Sequence, residues 1–138
     1  MIINKAVELK DFHAIVNMLQ AISNFMPKIE AKEEIWERFI NQENVYGFSF
    51  FFNKEIIGYG SIVYESKIRG GKAAHIEDIV VDEKMRGKGL GKHIINFLVK
   101  HAVENNCYKI SLSCNEYNVQ FYKNCGFYKD GVTMKKIL

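Results

Sequence analysis

Residues 45–66 read VYGFSFFFNKEIIGYGSIVYES, and this stretch restricts the fold most tightly. It is dense in aromatic and β-branched side chains, which suit a pleated, half-buried surface. The run breaks at Asn53-Lys54, two polar residues between two apolar segments. That spacing predicts an antiparallel hairpin with a tight turn, although Asn-Gly would be the stronger turn signal.

The flanks are read in the same way. Residues 2–7 alternate weakly and predict a first strand. From Asp11, the expected cap, Phe12, Ile15, Val16, Leu19 and Ile22 recur at helical spacing, and Pro27 closes the segment. A second helix is predicted near Lys32–Asn41, with Ile35, Trp36, Phe39 and Ile40 on one side. Beyond the hairpin, KIRGGK is a polar loop and AAHIEDIVVD a strand. LGKHIINFLVKHAVE is a helix, with Leu90, Ile94, Leu98 and Ala102 spaced by four. CYKISLSC is a strand, NVQFYKNCGF a short helix closed by Gly126, and GVTMKKIL a last strand. The order β-α-α-β-β-β-α-β-α-β predicts a mixed α/β (α+β) domain around one sheet. No linker, repeat or low-complexity tract divides the chain, so residues 1–138 are expected to form one domain.

Composition narrows the partners. A net charge of +3 suits a small anionic ligand better than a nucleic-acid backbone, which wants a stronger basic face. No apolar stretch approaches 18 residues, so no membrane partner is expected. Cys107, Cys114 and Cys125 form no C-x-x-C pair and fit no zinc spacing, so no metal is expected. The N-terminal MIINKAVELKDF lacks the apolar run of a signal peptide. Reduced thiols and a cytoplasmic location are the expectation.

Arg86-Gly87-Lys88-Gly89-Leu90-Gly91 joins the AAHIEDIVVD strand to the long helix. A helix N-terminus presents unpaired N–H groups and the positive end of its dipole. Glycines let those groups approach an anion, and Arg86, Lys88 and Lys92 add positive charge. The spacing is neither G-x-x-x-x-G-K-[ST] nor G-x-G-x-x-G. By itself the loop is equally readable as a phosphate cradle or as a turn beside solvated lysines.

The surrounding blocks decide between these readings. The loop resembles the R/Q-x-x-G-x-G/A signature of the GNAT acetyltransferases, whose element order also matches along the chain. HIEDIVVDEKMRGKGLGK, then CYKISLSCNEYNVQFYKNCGF, then GVTM resembles the branch of that family that acts on glucosamine 6-phosphate. The three blocks span residues 75–134; the first 70 residues match in element order only.

The resemblance implies a mostly antiparallel sheet with a splayed strand at the coenzyme site. Period-two alternation puts His75, Glu77, Ile79 and Val81 on one face and Ile76, Asp78 and Val80 on the other, unless a bulge intervenes. In GNAT proteins a bulge does intervene. The resemblance then implies that Glu77, Asp78 and the Ile79 backbone meet the amino sugar, and that Ile79, Val80 and Val81 pair with the pantetheine arm of acetyl-CoA. If that acidic pair were buried, it would need partners. The backbone of Arg86 to Lys92, including Leu90, would hold the pyrophosphate, with Asn118 and Lys123 beside the coenzyme.

Tyr122 matches the position that protonates the departing thiolate. Tyr108 and Lys109 match a substrate-contacting pair. Lys109, or Lys67 and Arg69 in the ESKIRGGK loop, could neutralise the sugar phosphate, although exposed lysines are more commonly plain solvated charge. Ser23 stands where the family has a threonine that touches the sugar. Two departures stand out. Relatives carry LDC or LEC where this chain has Leu112-Ser113-Cys114, and Ser113 cannot carry the acid's charge. Relatives often place an arginine near the C-terminus, and this chain has Lys135 and Lys136. The implied reaction is direct acetyl transfer from acetyl-CoA to the sugar amine, without an acyl-cysteine. The implied route leads to UDP-N-acetylglucosamine, and the implied assembly is a homodimer. A GNAT enzyme for another amine or a protein N-terminus, or a coenzyme-binding module without turnover, are the alternatives.

Overall fold

The computed structural model describes residues 1–138 throughout. Its centre is the expected hairpin: β2 (Val45–Phe52) turns into β3 (Glu55–Ser66) through Asn53 and Lys54. Both turn residues have positive φ, +48° and +67°, the left-handed pair whose twist matches that of the two strands. β1 (Ile2–Ala6) pairs antiparallel with β2, and β4 (Lys72–Val81) antiparallel with β3. β5 (Lys109–Ser111) joins parallel to β4, giving a mixed sheet in the order β1-β2-β3-β4-β5.

Four helices cover the sheet: α1 (Phe12–Leu19), α2 (Lys32–Ile40), α3 (Leu90–Glu104) and α4 (Val119–Asn124). α3 matches its predicted span, and its apolar stripe is the core. Leu90, Ile94, Ile95, Leu98 and Ala102 are buried against Phe48, Phe50, Ile62, Tyr64, Ala74 and Ile76. Each of the Leu, Ile and Phe side chains contributes about 1.5–3 kcal/mol on leaving water. Gly58 and Gly60 on β3 let the helix close in, since a Cβ on either would lie 2.8 Å or 3.0 Å from Ile94. A smaller cluster on the opposite face joins Val7, Ile15, Tyr59 and Val80 with α1 and α2 side chains.

Four expectations are corrected. α1 stops at Leu19, and Ile22 lies exposed beyond it, because the chain turns well before Pro27. Asp11 does not cap α1: its carboxylate accepts from the Glu8 amide at 3.1 Å and the Ser49 hydroxyl at 3.4 Å, bracing the preceding turn onto β2. The CYKISLSC strand is only three residues long. GVTMKKIL forms no strand: Thr133 meets Ser113 through side chains, but the segment enters no backbone ladder, and Val132, Met134, Ile137 and Leu138 stand exposed. No helix is long and apolar enough to cross a membrane.

Candidate active site

β4 changes phase in its middle. Ile76 faces Ile62 and Glu77 faces Ser61, but the ladder resumes at Val80 opposite Tyr59. Asp78 and Ile79 therefore share the space opposite Gly60, the arrangement of a β-bulge. Asp78 carries the irregularity with φ of +52°, a region that Asp tolerates better than most non-glycine residues. Regular alternation is broken: Ile79 and Val81 join Ala74 and Ile76 on the α3 side, and Val80 moves to the α1 side. Both carboxylates, Glu77 and Asp78, are exposed, so neither needs a buried partner.

Two buried groups on β3 stand behind the bulge. The Ser61 hydroxyl donates to the Glu77 carbonyl at 2.9 Å. The Tyr59 phenol is pushed above its ordinary value, chiefly by burial and also by the Asp78 carboxylate; a hydrogen bond with Ser61 opposes the shift. Neither residue was picked out from the sequence. The one signal was a serine inside an apolar strand run.

Next to the bulge the sheet opens. β5 pairs with β4 only from Ala73–Lys109 to His75–Ser111. Leu112, Ser113 and Cys114 leave the ladder, so β4 from Ile76 onward has no strand partner on that side. Tyr122 rises from α4 as a half-buried side chain packed on the main core, its ring edge-on to Phe121 and Phe127. Burial pushes its phenol up, and the nearby Cys114 and Cys125 thiols add to the effect. Burial also raises the Cys125 thiol, opposed by Lys92, which leaves it a poor nucleophile.

The glycine loop sits at the other end of β4. Asp82 accepts from the Lys84 amide at 2.9 Å, closing a tight turn over Glu83–Met85. Gly87 and Gly89 then take φ of +77° and +80°. Gly89 is the N-cap of the 15-residue α3, and no side chain caps the helix there. The first amides of α3 are therefore left for another acceptor. Arg86, Lys88 and Lys92 are exposed around them, whereas the Leu90 side chain is buried in the core. A Cβ on Gly91 would meet the Phe121 ring at 3.1 Å, so α4 packs directly against this loop. Asn118 is half-buried at the start of α4, and Lys123 is exposed on it.

The remaining candidates lie elsewhere in this chain. Lys109 pairs in register with Ala73, four residues or about 13 Å along the strand from Glu77. Tyr108 packs over Gly71, and Lys67 in the β3–β4 loop is ion-paired with Glu65, beside the exposed Arg69. His75 bridges this corner, 2.7 Å from the Ser111 hydroxyl and 3.5 Å from Glu65. Ser23 is exposed after α1, accepting from the Phe25 amide at 3.3 Å. Ser113 hydrogen-bonds Thr133 at 3.1 Å, tying the tail to the end of β5, with Lys135 and Lys136 exposed beyond.

Residues 12–127 match the Acetyltransferase (GNAT) family. The glucosamine 6-phosphate N-acetyltransferase of Arabidopsis thaliana is 43% identical over 84 residues, which cover 59% of this chain and 56% of that protein. Glucosamine 6-phosphate N-acetyltransferase 1 of Dictyostelium discoideum is 45% identical over 113 residues, covering 75% of this chain and 71% of that protein. The aligned stretch thus spans little more than half of the Arabidopsis protein's length. The crystal structure of the Arabidopsis enzyme superimposes with a TM-score of 0.89 at 28% identity, over 99% of this chain and 98% of that one. With a bulged β4, a gap beside β5 and an uncapped glycine loop opening α3, the chain belongs to the Acetyltransferase (GNAT) family.

Proposed function

We propose that this chain transfers the acetyl group of acetyl-CoA to the amine of D-glucosamine 6-phosphate, giving N-acetyl-D-glucosamine 6-phosphate. The reading rests on one juxtaposition: a bulge that exposes Glu77 and Asp78 beside the unpaired side of β4, with Tyr122 half-buried on the same core cluster that Ile79 and Val81 join. The relatives' printed activity names the amine.

The residues present fit the coenzyme. The uncapped α3 amides and the three cations suit a pyrophosphate, and the free edge from Ile79 to Val81 offers backbone groups to an amide-bearing arm. Bound there, acetyl-CoA supplies an activated thioester. Glu77 and Asp78 hold the sugar amine, which must be neutral to attack. The Ile79 amide would steady the developing oxyanion and Tyr122 would give its proton to the departing sulfur, while the proton lost by the attacking amine balances the one that Tyr122 gives up. Much of the rate comes from holding two reactants in line. Residues 1–138 act as one acetyltransferase domain, in the cytoplasm, on the route to UDP-N-acetylglucosamine.

The exposed Val132, Met134, Ile137 and Leu138 favour a homodimer in which a second copy covers the tail. That assembly would also add cations to a phosphate site that one chain leaves remote from Glu77. A different amine is the second reading. It is favoured by Ser113, which binds Thr133 and carries no charge, and by Lys67, already paired with Glu65.

A thiol-release assay with purified protein, acetyl-CoA and a panel of amines tests the substrate. Turnover with glucosamine 6-phosphate is expected. Turnover with another amine and none with this sugar would replace the first reading by the second.

A further inference from the structure

We propose that Ser61 is a positioning residue that sets the β4 bulge by holding the Glu77 carbonyl. Its role rests on the peptide unit it holds. The Glu77 carbonyl belongs to the plane that joins Glu77 to Asp78, and rotation of that plane defines φ of Asp78. Fixing the carbonyl at 2.9 Å from Ser61 Oγ therefore fixes the +52° conformation itself.

Ser61 is suited to this and to little else. It is 3% exposed and lies between Gly60 and Ile62 in a strand otherwise apolar from Ile56 to Tyr64. A hydroxyl buried there without a partner would be unfavourable; its proton goes to the Glu77 carbonyl, and the neighbouring Tyr59 phenol also approaches it. The bond is anchored at the last register pair before the ladder slips, Ser61–Glu77. An alanine would leave the carbonyl without this donor and the plane free to turn. β4 could then regain regular alternation. That would move Ile79 off the α3 side and swing Asp78 toward the sheet.

Ser61 acts through the backbone and touches no substrate in this arrangement. Its effect on turnover depends on the function proposed above, whereas its effect on the bulge does not. The two are therefore measured separately, on Ser61→Ala and Ser61→Thr in the full chain.

The first measurement is NMR of the backbone at Asp78 and Ile79. Sharp signals of a left-handed Asp78 are expected in the wild type and in Ser61→Thr. Exchange broadening on the microsecond–millisecond scale is expected in Ser61→Ala. The second is steady-state kinetics with acetyl-CoA and glucosamine 6-phosphate. Loss of one buried hydrogen bond should lower kcat/KM of Ser61→Ala about tenfold, well below its melting temperature. Ser61→Thr should recover most of it.

Unchanged Asp78 signals in Ser61→Ala would overturn the proposal. So would a kcat/KM within about twofold of wild type, or a loss that Ser61→Thr does not restore. An inactive wild type would instead refute the substrate assignment, and the NMR comparison would still decide the role of Ser61.

Discussion

Ile76 and Val80 are four residues apart on one strand, yet they are buried on opposite faces of the sheet, Ile76 under α3 and Val80 beneath α1. An even spacing keeps side chains on one face of a regular strand. The change of face is made by Asp78, whose left-handed backbone absorbs the extra residue. The same turn exposes two adjacent carboxylates at the point where β4 and β5 part.

Asp78 can therefore be tested through its backbone alone. Asp78→Gly removes the carboxylate but accepts the +52° φ, so the fold should stay within about 1 kcal/mol of wild type. Asp78→Val forces a β-branched residue into that region and should destabilise by roughly 1–3 kcal/mol. Denaturant unfolding of the two variants separates strain from charge, and equal stability of Gly and Val would refute the strained bulge.

Tyr122 should serve as an acid over a wide pH range. Its phenol is held above the ordinary tyrosine value near 10, so it stays protonated through neutral and mildly alkaline solution. Turnover should show no loss attributable to Tyr122 below about pH 10. Tyr122→Phe should lower kcat about 10²-fold or more with little change in the KM for acetyl-CoA. A pH–rate profile and kinetics of the variant check both; an unchanged kcat removes Tyr122 from the acid role.

The glycine loop predicts two different failures. At Gly89, φ of +80° with open space around the Cβ position makes the penalty conformational, about 1–2 kcal/mol for alanine. Gly89→Ala should weaken acetyl-CoA binding about tenfold by calorimetry, and Phe121→Leu should not alter that loss. Gly91→Ala meets the Phe121 ring at 3.1 Å, so its penalty is steric. Its effect should shrink in a Phe121→Leu background, which a double-mutant cycle reads directly.

His101 should make the fold sensitive to acid. The ring lies among Tyr46, Phe48 and Tyr64, with centroids 5.1–5.7 Å away. The Tyr64 hydroxyl and the Asn105 side-chain amide both approach Nδ1. Burial lowers the His101 pKa; Glu104 opposes the shift and Lys72 adds to it. The folded state thus binds its proton less readily than the unfolded state, whose histidine titrates near 6.5. The contribution is complete above that value and is lost as pH falls through the lower folded one. Melting temperature should fall as pH drops below about 6.5, and His101→Phe should flatten that slope. A slope unchanged in the variant would assign the acid sensitivity elsewhere.

Much of this protein was legible in one dimension because its local signals agree. The Asn53-Lys54 turn, the four-residue stripe of α3 and the Gly126 helix stop each draw on a few adjacent residues, and each appears as expected. GVTMKKIL failed for the opposite reason. A strand exists only through a ladder with a neighbour, and this segment enters none, although the outer edge of β5 is free.

The site divides along the same line. The sequence by itself carried most of the elements and the glycine loop, through residue type and spacing, while Glu77, Asp78 and Tyr122 stood out only through the resemblance of their blocks to the GNAT acetyltransferases. Tertiary structure decided what these groups face. A bulge is a mismatch between two strands, so the phase of Ile76 and Val80 depends on β3 as much as on β4. The gap beside β4 exists because the β5 ladder stops at Ser111, and the bond that orients the bulge comes from Ser61, 16 residues away in the chain. Pairing across strands is a long-range property, and no window along the chain contains both partners.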